Sequence, residues 1–285
     1  GHELRAVMLC RHTVAGQYVD LVRRHAPQAR LLFDTVDLHF LREHRAAELT
    51  ANAQLRHQAE ATRRSELGLI AAADVSFVVS PHERALLATL APTAYVELLS
   101  NIHDVDDRAP GYGGRRDLFF IGGCNHAPNL DAMRWIAAEI LPPLRDAFPD
   151  ITVHLLGDMP AAVRRELERP GLACHGRVAE LTPWLDGCLA SIAPLRFGAG
   201  VKGKINMAMS HGVPVIATPI AIEGMQLRAG VDVLVAQAPA DFVAAVTRLQ
   251  ADPALWAQLS ANGMANVREY FSPAAAAAAL QRALP

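Results

Sequence analysis

At 285 residues, 51% of them hydrophobic and 20% charged, the chain has the length of two domains and ample material for a sizeable core. A net charge of −2 argues against a nucleic-acid-binding surface, and no apolar run reaches the ~18 residues of a membrane-spanning helix. The four cysteines (Cys10, Cys124, Cys174, Cys188) lie far apart without C-x-x-C spacing, so they read as buried thiols of a reducing, cytoplasmic compartment and not as a zinc site or disulfide framework.

Gly1-His2 reads as an expression-tag remnant, and no signal peptide is visible. The apolar run Ala6 to Cys10 predicts a buried strand, Val14 to His25 a helix, and Leu31 to Phe33 a second strand ending at Asp34. Strand, helix, strand in this order implies parallel pairing. Asp34, Thr35, Asp37 and His39 then sit just past a strand's carboxyl end, where open α/β sheets bind ligands. They are read either as a functional rim, with His39 a catalytic candidate, or as an N-cap by Thr35 or Asp37. From Leu38 to about Ala73 the pattern is helical with a thin apolar stripe, which predicts a broken or partly covered helix. Val75 to Val79 is a strand. Ser80-Pro81-His82-Glu83 has the form of a helix start, with proline at the first position and glutamate three residues past the cap. Tyr95 to Leu99 is a fourth strand, and the Asp-, Gly- and Pro-rich stretch that follows reads as a linker.

The second half restarts the alternation. Strands are predicted at Leu118–Ile121, Ile151–Leu156, Gly171–Gly176, Leu189–Leu195, Val213–Ala217 and Val231–Ala236, with helices between them. The helix from Leu130 to Ala147 is expected to bend at Pro142-Pro143. Helices over Ala240–Leu249 and Pro253–Phe271 and an alanine-rich terminal helix complete the chain.

Within this half, Ala193 to Met225 combines a strand, a glycine turn (Gly198-Ala199-Gly200) and a helix start. Such a turn lets a phosphate approach the backbone, and the free N–H groups of the helix start favour an anion. Of the 27 basic residues only Lys202 and Lys204 are lysines, and both lie in this turn. A compact ammonium suits a phosphate where a planar guanidinium is too wide.

Two such halves joined by a linker resemble the GT-B fold of nucleotide-sugar glycosyltransferases. The second half resembles the donor domain of the retaining group 1 (family 4) members. The residues carrying this are L-F-F-I-G-G-C-N-H-A-P-N at 118–129, R-F-G-A-G-V-K-G-K at 196–204, H-G-V-P-V-I-A-T at 211–218 and Glu223-Gly224-Met225. D-T-V-D-L-H-F at 34–40 resembles the acceptor domain, and Asn101 and Asp104 sit like its interdomain N-x-x-D segment. The resemblance implies an α/β, GT-B-like architecture of two doubly wound parallel-sheet (Rossmann-like) domains facing a cleft, the N-terminal one short. The expected divisions are a partial acceptor-side domain over 3–105, a linker over 106–116, a donor-binding domain over 117–272 and a C-terminal helix over 273–285.

The activity implied is transfer of a sugar from a nucleotide-sugar donor to a glycan or lipid-linked acceptor, with retention, in polysaccharide biosynthesis. Arg196, Lys204 and Lys202 would neutralise the diphosphate, Gly122 and Gly123 would face sugar or phosphate, Gly200 would shape the turn, and Glu223 would meet sugar or ribose hydroxyls. No metal or other cofactor is expected. The family's two glutamates around the turn fall on Ala199 and Met207 here. A thioether cannot accept two ribose hydroxyl bonds, so ribose is held elsewhere, the donor is weakly bound, or the domain is non-catalytic and serves a larger glycan-assembly protein as a nucleotide-sugar- or partner-binding module. A GT-B sugar-nucleotide epimerase is a third reading, and lacks the clustered carboxylates it would want. The first half shows fewer strands than a full acceptor domain. This implies either a longer natural chain upstream or a minimal domain, with a sheet edge that a homodimer would cover. Peripheral membrane association stays open.

Overall fold

The computed structural model describes residues 4–106 and 111–284. The expected tag remnant and the centre of the expected linker, 107–110, lie outside the described residues.

The first sheet is built from β1 (Ala6–Cys10), β2 (Arg30–Asp34), β3 (Val75–Val78) and β4 (Val96–Leu98), all parallel and in sequence order. Between them run α1 (His12–His25), α2 (His39–Leu49), α3 (Ala53–Ala72) and α4 (Pro81–Leu90). β3 is buried along its whole length, as a central parallel strand should be. β1 is the edge strand and is mostly half-buried or exposed, contrary to the buried strand expected from its apolar run. Cys10 ends it exposed and Cys174 is half-buried, so only Cys124 and Cys188 are the buried thiols expected.

The long polar helix is indeed broken. Ala51 turns left-handed at φ 49°, and the Asn52 side chain then accepts from Gln54 N and Leu55 N to start α3. The start of α2 is capped by neither Thr35 nor Asp37. Thr35 is buried and its hydroxyl donates to Phe77 O. Glu66, fully buried on α3, accepts from His39 N at 3.0 Å and Phe40 N at 2.9 Å instead. A carboxylate there also complements the positive end of the helix. At α4 the Ser80 hydroxyl accepts from Glu83 N, as the S-P-H-E pattern implies. Glu83 turns elsewhere: its buried carboxylate accepts from Leu38 N and Val79 N, and burial pushes its pKa up to about 7.

The second sheet has β5 (Leu118–Ile121), β6 (Val153–Leu156), β7 (Leu172–Gly176), β8 (Ala190–Ala193), β9 (Val215–Ala217) and β10 (Leu234–Val235) in the parallel order β10-β9-β8-β5-β6-β7. Its order reverses between β5 and β8, which defines a switch point just beyond their carboxyl ends. Helices α5 (Ala127–Trp135), α6 (Leu141–Ala147), α7 (Ala161–Leu167), α8 (Thr182–Gly187), α9 (Gly203–Ser210), α10 (Pro219–Ile222), α11 (Pro239–Ala251) and α12 (Pro253–Tyr270) surround it. Between α5 and α6 lies one wide π turn, Ile136–Ile140, in which Leu141 N reaches back to Ile136 O. The irregularity expected at Pro142-Pro143 is therefore taken up one turn earlier, ahead of the two residues that have no N–H to donate.

The first sheet shows no such reversal. Its second face is covered by the terminal helix α13 (Pro273–Ala283), whose Leu280 and Ala283 pack against Leu32, Val75 and Phe77. Arg282 fastens α13 to β4 through both oxygens of Glu97. The end of the chain thus completes the core of its beginning.

Candidate functional site

The carboxyl ends of β1 and β2 and the loops after β5 and β8 enclose a cavity of about 400 Å³. Arg11, Val36, Asp37, His39 and Arg42 line it from the first sheet, and His126, Asn129 and the segment from Gly198 to Lys204 from the second. Asn101 closes the seam between them, its amide donating to Val201 O.

The glycine turn after β8 is held from within. Gly200 adopts φ +66°, and a Cβ there would sit 2.8 Å from the Cβ of Asp37. Only glycine permits both the left-handed turn and that approach of the two sheets. Lys202 is buried, and its ammonium donates to Ala199 O at 3.0 Å and to Gly200 O, closing the turn on itself. Burial lowers its pKa to about 8. α9 begins directly afterwards with no side-chain cap, so its first N–H groups remain for a ligand.

Lys204 is half-buried at the cavity wall. Its ammonium lies 4.3 Å from the Phe120 ring centroid and donates to Asn129 Oδ1. Burial, reinforced by the neighbouring Lys202 charge, lowers its pKa to about 7. The Asn129 amide donates in turn to Gly123 O at 3.0 Å. Gly122 must be small here, because a Cβ would lie 2.7 Å from Asn129 Cγ. Lys204, Asn129 and the Gly122-Gly123 turn therefore form one hydrogen-bonded unit across the switch point. Asn129 was not singled out from the sequence, although it ends the quoted motif; its role is set by Lys204, 75 positions away.

His39 lines the cavity, as expected of a rim residue. Its Nδ1 is 3.0 Å from Asp37 O, 3.2 Å from Asp37 Oδ1 and 3.4 Å from Glu66 Oε1. Burial opposes a charged ring, but the Glu66 and Asp37 carboxylates outweigh it and raise the His39 pKa. Asp37 is itself paired with Arg42. Among the described residues, His12, His39 and Glu66 form the one group of three side chains whose ligand atoms converge within 4.8 Å, as a metal would need. Both oxygens of Glu66 already accept backbone N–H groups.

Three expected donor residues stand elsewhere. Arg196 is exposed and turned onto Asp131, with Nε–Oδ2 at 2.9 Å and its guanidinium 5.6 Å from the Trp135 ring centroid. It does not line the cavity; an exposed arginine at the loop start takes the nearest carboxylate. Met207 is not part of the lining and is half-buried on α9. Glu223 is bound bidentately by Arg45, Nη1–Oε1 at 2.8 Å and Nη2–Oε2 at 2.9 Å, with His82 Nε2 at 3.5 Å. Arg45 also donates to Gly198 O at 2.7 Å. This arginine of α2 ties the first sheet to the glycine turn of the second, a link the sequence did not disclose.

Residues 115–252 match the model of the family described as glycosyl transferases group 1. No curated protein sequence matches the chain. Solved structures do. TarM superposes with a TM-score of 0.77 at 10% identity, over 99% of this chain and 55% of TarM. Sucrose-phosphate synthase from Thermosynechococcus elongatus gives 0.75 at 17% identity, over 98% of this chain and 72% of that one. Anabaena HepE, solved with UDP-glucose, gives 0.70 at 14%, over 97% and 78%. The chain thus spans little more than half the length of TarM. No described helix is long and apolar enough to cross a membrane. The chain has the two-sheet architecture of the GT-B glycosyltransferases, and its residues 115–252, just under half of it, match the glycosyl transferases group 1 family model.

Proposed function

We propose that the cleft binds a nucleotide-diphosphate sugar and transfers its sugar, with retention, to a glycan or lipid-linked acceptor, as a family 4 enzyme of polysaccharide biosynthesis in the cytoplasm. The observation that carries this is the Lys204–Asn129–Gly123 unit beside the uncapped start of α9, at the switch point of the second sheet. In this reading the diphosphate lies on the amides of α9 and beside Lys204, while Lys202 keeps the turn in shape. A cation and oriented N–H groups held before the reaction stabilise the charge that grows on the departing phosphate. These groups supply what a divalent metal would otherwise supply, so no metal is required.

Retention suits the lining. Its one carboxylate, Asp37, is paired with Arg42 and does not stand free as a base or nucleophile. The departing phosphate oxygen can itself take the acceptor's proton on the face where the sugar leaves. His39, whose charged form Glu66 and Asp37 favour against its burial, lies at the cleft as a hydrogen-bond donor to the reacting sugar.

A second reading keeps binding and drops catalysis. It draws on Glu223, already occupied by Arg45, and on Met207, where a carboxylate would hold ribose. Calorimetry with UDP, GDP and ADP, paired with a donor-hydrolysis assay, separates the two. Binding with turnover that Lys204→Ala abolishes supports transfer; binding without turnover supports the second reading; unchanged turnover in Lys204→Ala refutes the proposed site.

A further inference from the structure

The geometry points to an anion subsite at Arg11, on the first-sheet wall of the cleft, and hence to an acceptor sugar that carries a carboxylate or phosphate group. This rests on the reading that the lysine side of the cleft holds the donor diphosphate.

Arg11 is the residue after β1, and its N–H donates to Asp34 O at 2.8 Å. Its backbone stands at φ 67°, ψ 140°, a conformation that side chains other than glycine rarely adopt. The next strand end repeats the feature, with the β-branched Val36 at φ 66°. Both residues line the same cavity. Strained backbone persists where the surroundings enforce it, and such positions gather at ligand sites. Here the strain directs two neighbouring strand ends into one cleft.

The cations of the cleft differ in how far they are committed. Arg42 is paired with Asp37, Lys202 closes its own turn, and Lys204 rests on Asn129. The Arg11 side chain is exposed and, among the described residues, makes no hydrogen bond or ion pair, although its charge acts on the nearby Asp34 carboxylate. Asp34, the nearest carboxylate in the strand pairing, spends Oδ1 on Val36 N. The charges then sort by side. Lys204 and the start of α9 face the negative charges of a donor diphosphate, while Lys202 shapes the turn that presents them. Arg42 and Asp37 cancel. Arg11 faces Asp34 only through its field, with no hydrogen bond or ion pair to it, and so keeps its guanidinium donors for a ligand opposite the donor, where an acceptor enters. A guanidinium pairs bidentately with carboxylate or phosphate, which gives orientation as well as attraction.

The test is a titration of the full chain, with and without UDP or GDP, followed by NMR. Methyl β-glucuronide, glucose 1-phosphate and methyl β-glucoside are the probes; the first two separate carboxylate from phosphate. At least one charged probe should bind at about tenfold higher affinity than the glucoside, and Arg11→Ala should remove that difference. Arg11→Lys should recover part of it. Arg11→Gly relieves the backbone strain, so it should keep or raise Tm and still lose the charged probe; a purely structural role would leave probe binding intact in that variant. Nucleoside-diphosphate affinity should stay unchanged in all three variants.

Equal affinity for charged and neutral probes, or no binding of either charged probe, overturns the inference. So does a loss of nucleoside-diphosphate affinity in Arg11→Gly, which would place Arg11 with the donor phosphates. Failure of the donor reading looks different: no nucleoside diphosphate binds, while Arg11-dependent binding of a charged probe remains.

Discussion

Lys204 and Asn129 meet across the switch point of the second sheet, ammonium to amide oxygen, and that one contact joins the two glycine turns. It makes Lys204 part of a preformed site. In the proposed donor site, removing the ammonium would remove a charge-assisted partner of the diphosphate, a bond worth about 1.5–3 kcal/mol, or roughly 10- to 150-fold in affinity. Lys204→Ala should show that loss for UDP or GDP by calorimetry. Asn129→Ala should lose less, because the charge survives and only its aim is relaxed. Equal loss in both would mean that the position of the charge, not the charge, dominates.

The depressed pKa of Lys204 makes the proposed donor binding depend on pH. In the free protein its ammonium titrates near 7. A bound diphosphate stabilises the charged form and raises that pKa, so binding above pH 7 takes up a proton. Affinity should therefore fall as pH rises from about 7 to about 9. Calorimetry in buffers of different ionisation enthalpy reads the proton directly, and Lys204→Met should abolish the uptake. Stability responds with the opposite sense. The folded pKa lies below the ordinary lysine value of 10.5, so the buried charge destabilises the fold most below about pH 7, and less as pH rises toward 10.5. Lys204→Met should thus gain more stability over wild type at pH 6 than at pH 9 in urea unfolding, while losing the donor.

How much of this was legible beforehand follows from the range of the interactions. The strands of the second sheet are short, mostly apolar runs punctuated by glycines, and the lysine pair in the glycine turn is a local feature; both are visible in a single chain. The capping of α2 by Glu66, 26 positions beyond Phe40, is not. Nor is the turning of Arg196 onto Asp131, 65 positions apart, which removes from the cavity a residue expected in it. The return of α13 to the first sheet depends on packing between the chain's two ends. Local chemistry named the glycine turn; long-range pairing decided which cations face the cleft.

Gly200 and Gly203 give a paired test of the turn. At Gly200 a side chain meets both a left-handed φ of +66° and the Asp37 Cβ at 2.8 Å. Gly200→Ala should cost about 1–3 kcal/mol of stability and weaken diphosphate binding, because the turn and the first sheet must shift apart. At Gly203 the new Cβ would meet the Asn101 amide at 3.4 Å and His103 Nε2 at 3.9 Å, at the start of a helix. Gly203→Ala should fold with wild-type stability or better, alanine being the stronger helix former. A similar loss in both variants would show that close backbone approach matters throughout the loop.

Arg45 and Glu223 form a polar link between the two sheets: a bidentate pair, half-buried, 178 positions apart in sequence. Because Arg45 also holds Gly198 O, the pair bears on the shape of the glycine turn as well as on the approach of the sheets. In a double-mutant cycle of Arg45→Ala and Glu223→Ala, urea unfolding should give a coupling of about 0.5–3 kcal/mol. Each single variant should be less stable than wild type, since each leaves a partly buried charge without its partner. If Glu223 also serves the donor, Arg45→Ala releases its carboxylate and should tighten binding of a nucleotide sugar relative to the bare nucleoside diphosphate. If it serves only the link, both ligands should weaken together as the turn loosens. The ratio of the two affinities, measured in Arg45→Ala and in wild type, decides between a latch over a donor contact and a strut between the sheets.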